Sequence, residues 1–234
     1  MPRLGVCNGR DDGAGASVHT VTERASEPAL PGTKGTLTRF LTLSARGLKM
    51  VRGYSLSAPD CGVEFLHAAP SNLFCIACGG FVAGQYYFPQ LDMSSVSVSF
   101  CFTYDNRLLV SERGRDFLIS NAKNRVEFHQ IDKAGHYFFC SAQETLSFDF
   151  VGRKSRLENW CELCGEFENV TGATPAFIHA DCVIEPLGFY RTDLCFGSGR
   201  EKSPLSIVGD LLKEKLGKEF PELEFLPVVQ VGIK

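Results

Sequence analysis

The sequence lacks the features of a membrane protein or an exported protein. It has no run of about 18 apolar residues, and its N-terminus has no apolar stretch of roughly 7 to 15 residues of the kind that a secretory signal needs. We therefore expect no membrane span, no membrane partner and no export. These absences predict a cytoplasmic protein.

An excess of positive charge is also missing. The chain has 24 Lys+Arg against 27 Asp+Glu, a formal net charge of −3 and an isoelectric point near 6.0. A protein that binds nucleic acid without regard to sequence depends on a positive surface that neutralises phosphates. The charge balance therefore argues against nucleic acid as a general partner.

Recognisable catalytic motifs are absent as well. The five histidines stand in no pattern with Ser, Cys or Asp that would indicate a nucleophile and its base. Residues 196–204 combine glycines with basic residues but lack both the G-x-x-x-x-G-K-[ST] and the G-x-G-x-x-G patterns. We interpret this segment as a connection from a strand to a helix, with Ser203 near the N-cap and Pro204 at the helix start. The sequence predicts that the protein is not an enzyme.

Residues 1–49 differ in composition from the rest of the chain. They contain seven Lys+Arg against four Asp+Glu, which leaves a net charge of −6 for residues 50–234, and they contain seven glycines with little periodicity. We predict a disordered N-terminal extension over 1–49 and a folded domain over 50–234. Two alternatives are a transit peptide, which the four acids argue against, and a natural start at Met50.

The folded region contains an internal similarity. Leu108–Glu112 resembles Ser206–Asp210, with the two valines 98 positions apart, and a Cys-x-x-Cys-Gly-x-Phe motif precedes each segment. A repeated motif in the same order indicates a duplicated structural unit. We therefore predict two related halves, at about residues 50–135 and 136–234.

The patterning of the folded region indicates both strands and helices. Val208, Leu211, Leu212 and Leu216 recur at i, i+3, i+4 and i+8, which predicts a short amphipathic helix with these four residues on its buried face. Four runs have the composition of strands: residues 96–104, 136–140, 189–196 and 222–231. The fold class that follows is α+β, with mostly strands and a few short helices.

Ten cysteines need an explanation in a protein expected to be cytoplasmic, because a reducing compartment disfavours structural disulfides. Cys75 and Cys78 form one Cys-x-x-Cys-Gly turn, here called knuckle 1, and Cys161 and Cys164 form a second, knuckle 2. Each turn points two thiolates at one centre, and four soft ligands without His favour zinc or iron. A zinc ribbon usually separates its two turns by about 15–20 residues. Here they lie 83 apart, a distance that a duplication would explain by placing the knuckles face to face.

Other interpretations of the cysteines stay open. Each pair is consistent with reduced, partly buried thiols, or with a redox-active dithiol, although the latter needs a βαβ setting with the motif at the start of a helix. Core packing accounts for the remaining cysteines, which are Cys7, Cys61, Cys101, Cys140, Cys182 and Cys195. His179 and Cys182 form an isolated H-x-x-C that lacks two further ligands.

The order of these motifs resembles a known family. Besides the two knuckles, three runs carry the resemblance: Phe88–Asp92, Gly188–Leu194 and Gly197–Pro204. Over about residues 50–234 the chain is similar to the double-CXXCG motif family, a paralogous family expanded in myxobacteria. The resemblance implies a cognate immunity protein that protects a cell from a swarming-inhibition toxin delivered by its kin, and the family's paired cysteines correspond to Cys75, Cys78, Cys161 and Cys164. It transfers no catalytic residue.

The charge of the folded region is compatible with a protein toxin as the partner. An acidic inhibitor associates faster with a basic toxin through electrostatic steering. The alternative function is a zinc-ribbon module that binds nucleic acid or acts in regulation. Such a module needs a basic, aromatic face near the knuckles, and Glu162, Glu166 and Glu168 around knuckle 2 argue against it.

Overall fold

Strands dominate the secondary structure of this protein, as the sequence predicts. The structure, a computed structural model, describes residues 50–82 and 87–231, so the predicted extension over 1–49 lies outside the described residues. The strands in the described part are β1 (Met50–Ser57), β2 (Phe100–Phe102), β3 (Leu108–Ser111), β4 (Val126–Gln130), β5 (Tyr137–Ala142), β6 (Thr145–Leu146), β7 (Arg156–Cys161), β8 (Glu166–Thr171), β9 (Phe177–His179), β10 (Phe189–Ser198), β11 (Ser203–Val208) and β12 (Glu224–Val231). The helices are α1 (Glu112–Asn121), α2 (Phe150–Arg153) and α3 (Asp210–Glu219).

The strands form two sheets. The smaller sheet has the order β2-β3-β5-β4 with antiparallel neighbours throughout. The larger sheet has the order β7-β8-β10-β11-β1-β12-β9. The short strand β6 pairs in parallel with β10 at Arg191 and Thr192. The predicted α+β class with more strand than helix is confirmed. The predicted boundary between the halves, at residues 135 and 136, does not coincide with a change of sheet. Strand β5, which follows the boundary, pairs with β4 in the smaller sheet. Strand β1, which precedes it, lies between β11 and β12 in the larger sheet.

Helix α3 begins later than its apolar spacing predicts. Leu212 and Leu216 are fully buried, but Leu211 is 47% exposed, so its predicted place on the buried face is wrong. Val208 belongs to β11, where it pairs with Tyr54 of β1, and the helix starts only after Gly209. The apolar spacing therefore spans the end of a strand and the start of a helix.

The connection before α3 also differs from its prediction. Ser203 and Pro204 begin strand β11 and pair with β10, so they are not the N-cap and first residue of a helix. Pro204 is tolerated there because it stands near the start of the strand, opposite Cys195, where the pairing of β10 and β11 is irregular. Ahead of this strand, Gly197 belongs to β10 and Gly199 begins a short 3-10 turn over Gly199–Glu201.

One buried cluster joins the two sheets to the two long helices. Phe100 of β2 and Val208 of β11 pack in it together with Leu118 of α1 and Leu216 of α3, and all four are fully buried. The knuckles are anchored in separate clusters. Phe74, which precedes knuckle 1, packs in a second cluster, and Val170 of β8 packs in a third.

The two long helices begin differently, which yields a first prediction. The Ser111 Oγ caps α1 by accepting a hydrogen bond of 3.2 Å from the Gly114 N–H, whereas Gly209 offers α3 no side-chain cap. Ser111→Ala should lower the free energy of unfolding by about 1 kcal/mol. The control is Ser120→Ala, the same change at an exposed position of α1, with an expected effect within about 0.5 kcal/mol. Urea denaturation measures both, and equal effects would contradict the capping role.

In the described part of the chain, no helix is both long enough and apolar enough to cross a membrane.

Candidate metal centre

Knuckle 1 is a tight turn closed by two main-chain hydrogen bonds. The Cys75 N–H donates to the Gly80 carbonyl at 2.8 Å, and the Gly79 N–H donates to the Cys75 carbonyl at 2.8 Å. Gly79 has φ of +70°, a left-handed conformation that residues with a Cβ rarely adopt. The glycine of the motif therefore lets the chain reverse so that both thiols lie on one side of the turn.

Knuckle 2 has the same construction at the end of a hairpin. Cys161 ends β7 and pairs with Glu166, the first residue of β8. The Gly165 N–H donates to the Cys161 carbonyl at 2.9 Å, and Gly165 has φ of +71°. The shared Cys-x-x-Cys-Gly sequence thus encodes the same local turn twice, through the same positive φ.

The structure brings the two knuckles together, although they are far apart in sequence. The four Sγ atoms lie within 4.8 Å of one another. The Sγ atoms of Cys75 and Cys161 are 3.7 Å apart, and those of Cys78 and Cys164 are 3.6 Å apart. A tetrahedral ion with bonds to sulfur of about 2.3 Å places its ligands about 3.8 Å from each other, whereas a disulfide is about 2.05 Å long. The four free thiols could therefore bind one metal ion.

The surroundings of the thiols favour a cation at their centre. Cys75 and Cys161 are buried and Cys78 and Cys164 half-buried. The backbone N–H groups of Cys78 and Ala77 lower the pKa of Cys75 to about 7, whereas burial raises the pKa of Cys164 to about 12. Thiols this close cannot all be thiolates without a compensating charge. A bound metal ion supplies that charge and displaces the protons.

A buried lysine stands beside the cluster. Lys202 is 8% exposed, and its ammonium donates to the Phe167 carbonyl and lies 4.0 Å from the Glu166 carboxylate. A Cβ built on Gly80 would lie 3.4 Å from the Cys78 Sγ and 3.9 Å from the Lys202 Nζ. Lys202 is thus a buried cation close to knuckle 1. Sequence reasoning missed this buried cation, because the pattern around Lys202 indicates only a loop.

The remaining candidate ligands do not join this cluster. Among the described residues, only the four knuckle cysteines form a group of His, Cys, Asp or Glu able to hold a metal ion. His179 is exposed and Cys182 is buried in a hydrophobic cluster. Cys7 lies outside the described residues. The Cys101 side chain lowers the pKa of the Cys61 thiol to about 7, a coupling that their spacing in the sequence gives no reason to expect.

The tips of both knuckles expose large apolar side chains. Ile76 is 95% exposed, Leu163 is 63% exposed, and Trp160 beside knuckle 2 is 49% exposed. The predicted acidic surface is present next to them: Glu162 and Glu166 are exposed and Glu168 is half-buried. We call Ile76, Leu163 and Trp160, together with these glutamates, the knuckle surface.

Comparisons with known proteins add no relative. The chain matches no protein-family model, no curated protein and no solved structure.

Proposed function

We propose that this protein is an immunity protein, an antitoxin that binds and neutralises a cognate protein toxin delivered by kin cells in bacterial competition. The exposed apolar tips of the two knuckles, surrounded by acidic residues, are the observation that carries this proposal. Such a protein needs a rigid, preformed surface and no active site of its own. We further propose that it acts in the cytoplasm and is not an enzyme.

The proposed metal is a structural zinc ion held by Cys75, Cys78, Cys161 and Cys164. Four thiolates fill a tetrahedral shell and leave no position for a substrate, which is typical of structural rather than catalytic zinc. Iron is the other ion that four thiolates select. In either case the ion would tie the β7–β8 hairpin to the loop that precedes β2. The knuckle surface would then be presented rigidly.

The knuckle surface has the composition of a binding site for a basic protein. Large exposed apolar residues such as Ile76 and Leu163 are the kind of side chain that contributes most to protein–protein affinity when a partner buries it. The neighbouring carboxylates of Glu162 and Glu166 would attract a positively charged partner and speed its association. We therefore expect the toxin to present a basic rim around an apolar centre.

The two related halves are also a proposal, supported by the pairing of the strands. The orders β2-β3-β5-β4 and β10-β11-β1-β12 both consist of antiparallel pairs, and α1 and α3 begin and end 98 positions apart. The Ser111 N–H donates to the Ser99 carbonyl at 2.8 Å, and the Gly209 N–H donates to the Gly188 carbonyl at 3.0 Å. In this interpretation β1, from the start of the folded region, occupies the position that β5 has in the other half.

The central experiment is co-expression with the toxin encoded beside this protein. Expression of the toxin alone should arrest growth, and co-expression of residues 50–234 should restore growth and yield a stable complex. Failure to protect against or bind the neighbouring toxin would contradict the proposal. Tight binding to RNA or DNA in that case would favour the alternative, a zinc-ribbon nucleic-acid-binding or regulatory protein.

One substitution tests the contact surface directly. Ile76→Lys removes an apolar contact and introduces a charge that repels a basic partner, so toxin affinity should fall by about tenfold or more. Ile119→Lys is the matched control, because Ile119 is 63% exposed on α1, outside the knuckle surface. Titration calorimetry measures the affinities, and metal analysis verifies that both variants keep their ion. Equal affinities of the two variants would exclude the knuckle surface as the binding site.

A further inference from the structure

A cavity of about 270 Å³ lies near the two knuckles, and the proposed function uses only one residue of its wall, Glu166. Its wall includes Phe81 near knuckle 1 and Glu166 of β8, and its other residues come from both sheets, among them Phe139 of β5 and Cys195 of β10. Small-molecule sites typically have volumes of about 300–1,000 Å³. This cavity is just below that range and suits a compound of one or two rings.

Positive charge dominates the polar part of the wall. Three cations, Arg107, Arg191 and Lys202, line the cavity together with the single carboxylate of Glu166. Of these cations only Lys202 lies within 4.0 Å of a carboxylate among the described residues, and that carboxylate is Glu166 itself. All three cations lower the pKa of the Cys195 thiol, against the larger effect of its burial, which raises it. Glu166 acts on the same thiol in the opposite direction, so the wall carries three cations against one carboxylate.

Two of the three cationic groups, those of Lys202 and Arg107, are held by contacts with the protein, whereas Arg191 is exposed. The Lys202 ammonium is nine-tenths buried and donates to the Phe167 carbonyl. The Arg107 guanidinium lies 5.7 Å from the centre of the Phe81 ring, and burial lowers the pKa of Arg107. A charge that has lost part of its water gains more from an anionic partner than a solvated one does. The site is thus arranged for an anion in advance.

Aromatic rings form the apolar part of the wall. Phe65 lies 5.2 Å from Phe139 and 6.4 Å from Tyr87, measured between ring centres, and Phe88 lies 6.2 Å from Phe139. All four line the cavity. Phe65 is buried, whereas Tyr87 and Phe139 are half-buried and present part of their rings to the cavity, where a planar group can stack.

We propose that this cavity binds a small planar organic acid, with its flat body against Tyr87 and Phe139 and its carboxylate directed to Arg107, Arg191 and Lys202. The excess of positive charge disfavours a metal ion or an organic cation. The aromatic wall disfavours an inorganic anion, because much of the anion would face an apolar surface. This inference does not depend on the proposed immunity function.

Three acids serve as probes: benzoate, 4-hydroxybenzoate and indole-3-carboxylate. Each is titrated by NMR into the metal-loaded protein, and benzamide and inorganic phosphate are titrated in parallel. At least one acid should bind saturably and shift the amide signals of residues around the cavity. Benzamide, which lacks the carboxylate, and phosphate, which lacks the planar body, should each bind more weakly by about tenfold. Absence of saturable binding for all three acids overturns the proposal, as does equal binding of benzamide or phosphate.

A matched pair of variants tests the role of the cations. Arg191 is exposed, so Arg191→Gln should leave the fold and the metal content intact while weakening the bound acid by about tenfold. Arg156→Gln is the control, because Arg156 is also exposed on a strand of the same sheet but does not line the cavity. Unchanged affinity in Arg191→Gln, or an equal loss in Arg156→Gln, overturns the proposal.

Discussion

Removal of the metal ion is expected to unfold the domain formed by residues 50–234. The apparent binding free energy of a structural zinc site is on the order of 10 kcal/mol, which is comparable to the whole stability of a domain of about 5–15 kcal/mol. Without the ion, four thiols within 4.8 Å of one another would no longer hold the two knuckles together. Trp160, the only tryptophan, directly precedes Cys161 and reports on knuckle 2. Its fluorescence should change in step with metal release when a chelator is added.

A cysteine substitution tests the same prediction without a chelator. Cys78→Ser removes one of the four ligands, so the purified protein should contain less than one metal ion per chain and should melt at a lower temperature. The matched control is Cys61→Ser, since Cys61 is also free and half-buried but lies outside the cluster. Its metal content should equal that of the unmodified protein. A Cys78→Ser protein with full metal content and full stability would contradict the four-thiolate site.

The identity of the ion can be determined on the same samples. Elemental analysis should give one zinc per chain, and the zinc protein should be colourless because Zn²⁺ has a filled d shell. Iron in a four-thiolate site would give a coloured protein. That result would identify the ion as iron, with the same four ligands.

The four-cysteine cluster could be predicted from the sequence because its two turns are encoded locally. Each knuckle needs only a glycine at positive φ one residue after the second cysteine, and both Gly79 and Gly165 satisfy that requirement. The approach of the two knuckles is not local, and only the internal similarity of the sequence predicted it. That prediction succeeded for the thiols, because all four lie together.

The rest of the fold depends on contacts between distant residues, which periodicity does not reveal. Strand β1 pairs with β12 at the other end of the folded region, as in the contact of the Ser55 Oγ with the Leu226 carbonyl across 171 positions. The apolar spacing through Val208 and Leu211 predicted one continuous helix, but pairing with β1 keeps Val208 in a strand. The position of Lys202 beside the cysteine cluster likewise depends on distant residues, because its ammonium donates to the Phe167 carbonyl and lies near Gly80.

The second large effect is expected at Phe220, where the helices of the two proposed halves meet. Phe220 follows α3 and is 1% exposed. Its ring centre lies 4.8 Å from that of Phe100 in β2 and 5.1 Å from that of Phe117 in α1, and the Arg113 guanidinium lies 5.0 Å from it. Phe220→Ala leaves a cavity among these groups and should lower the free energy of unfolding by about 3–5 kcal/mol.

The control for this substitution is Phe150→Ala, the same change at a side chain that is 39% exposed, with an expected loss of about 1 kcal/mol or less. Two signals distinguish loss of one half from loss of the whole domain: Trp160 fluorescence, which reports on knuckle 2, and far-ultraviolet circular dichroism, which reports on all strands and helices. Phe220 packs on elements of the smaller sheet, whereas Trp160 lies in the larger one. If the two sheets share one core, the unfolding midpoints of both signals should shift to the same lower urea concentration. A shift of the dichroism alone would mean that the larger sheet remains folded without this contact, which would contradict a shared core.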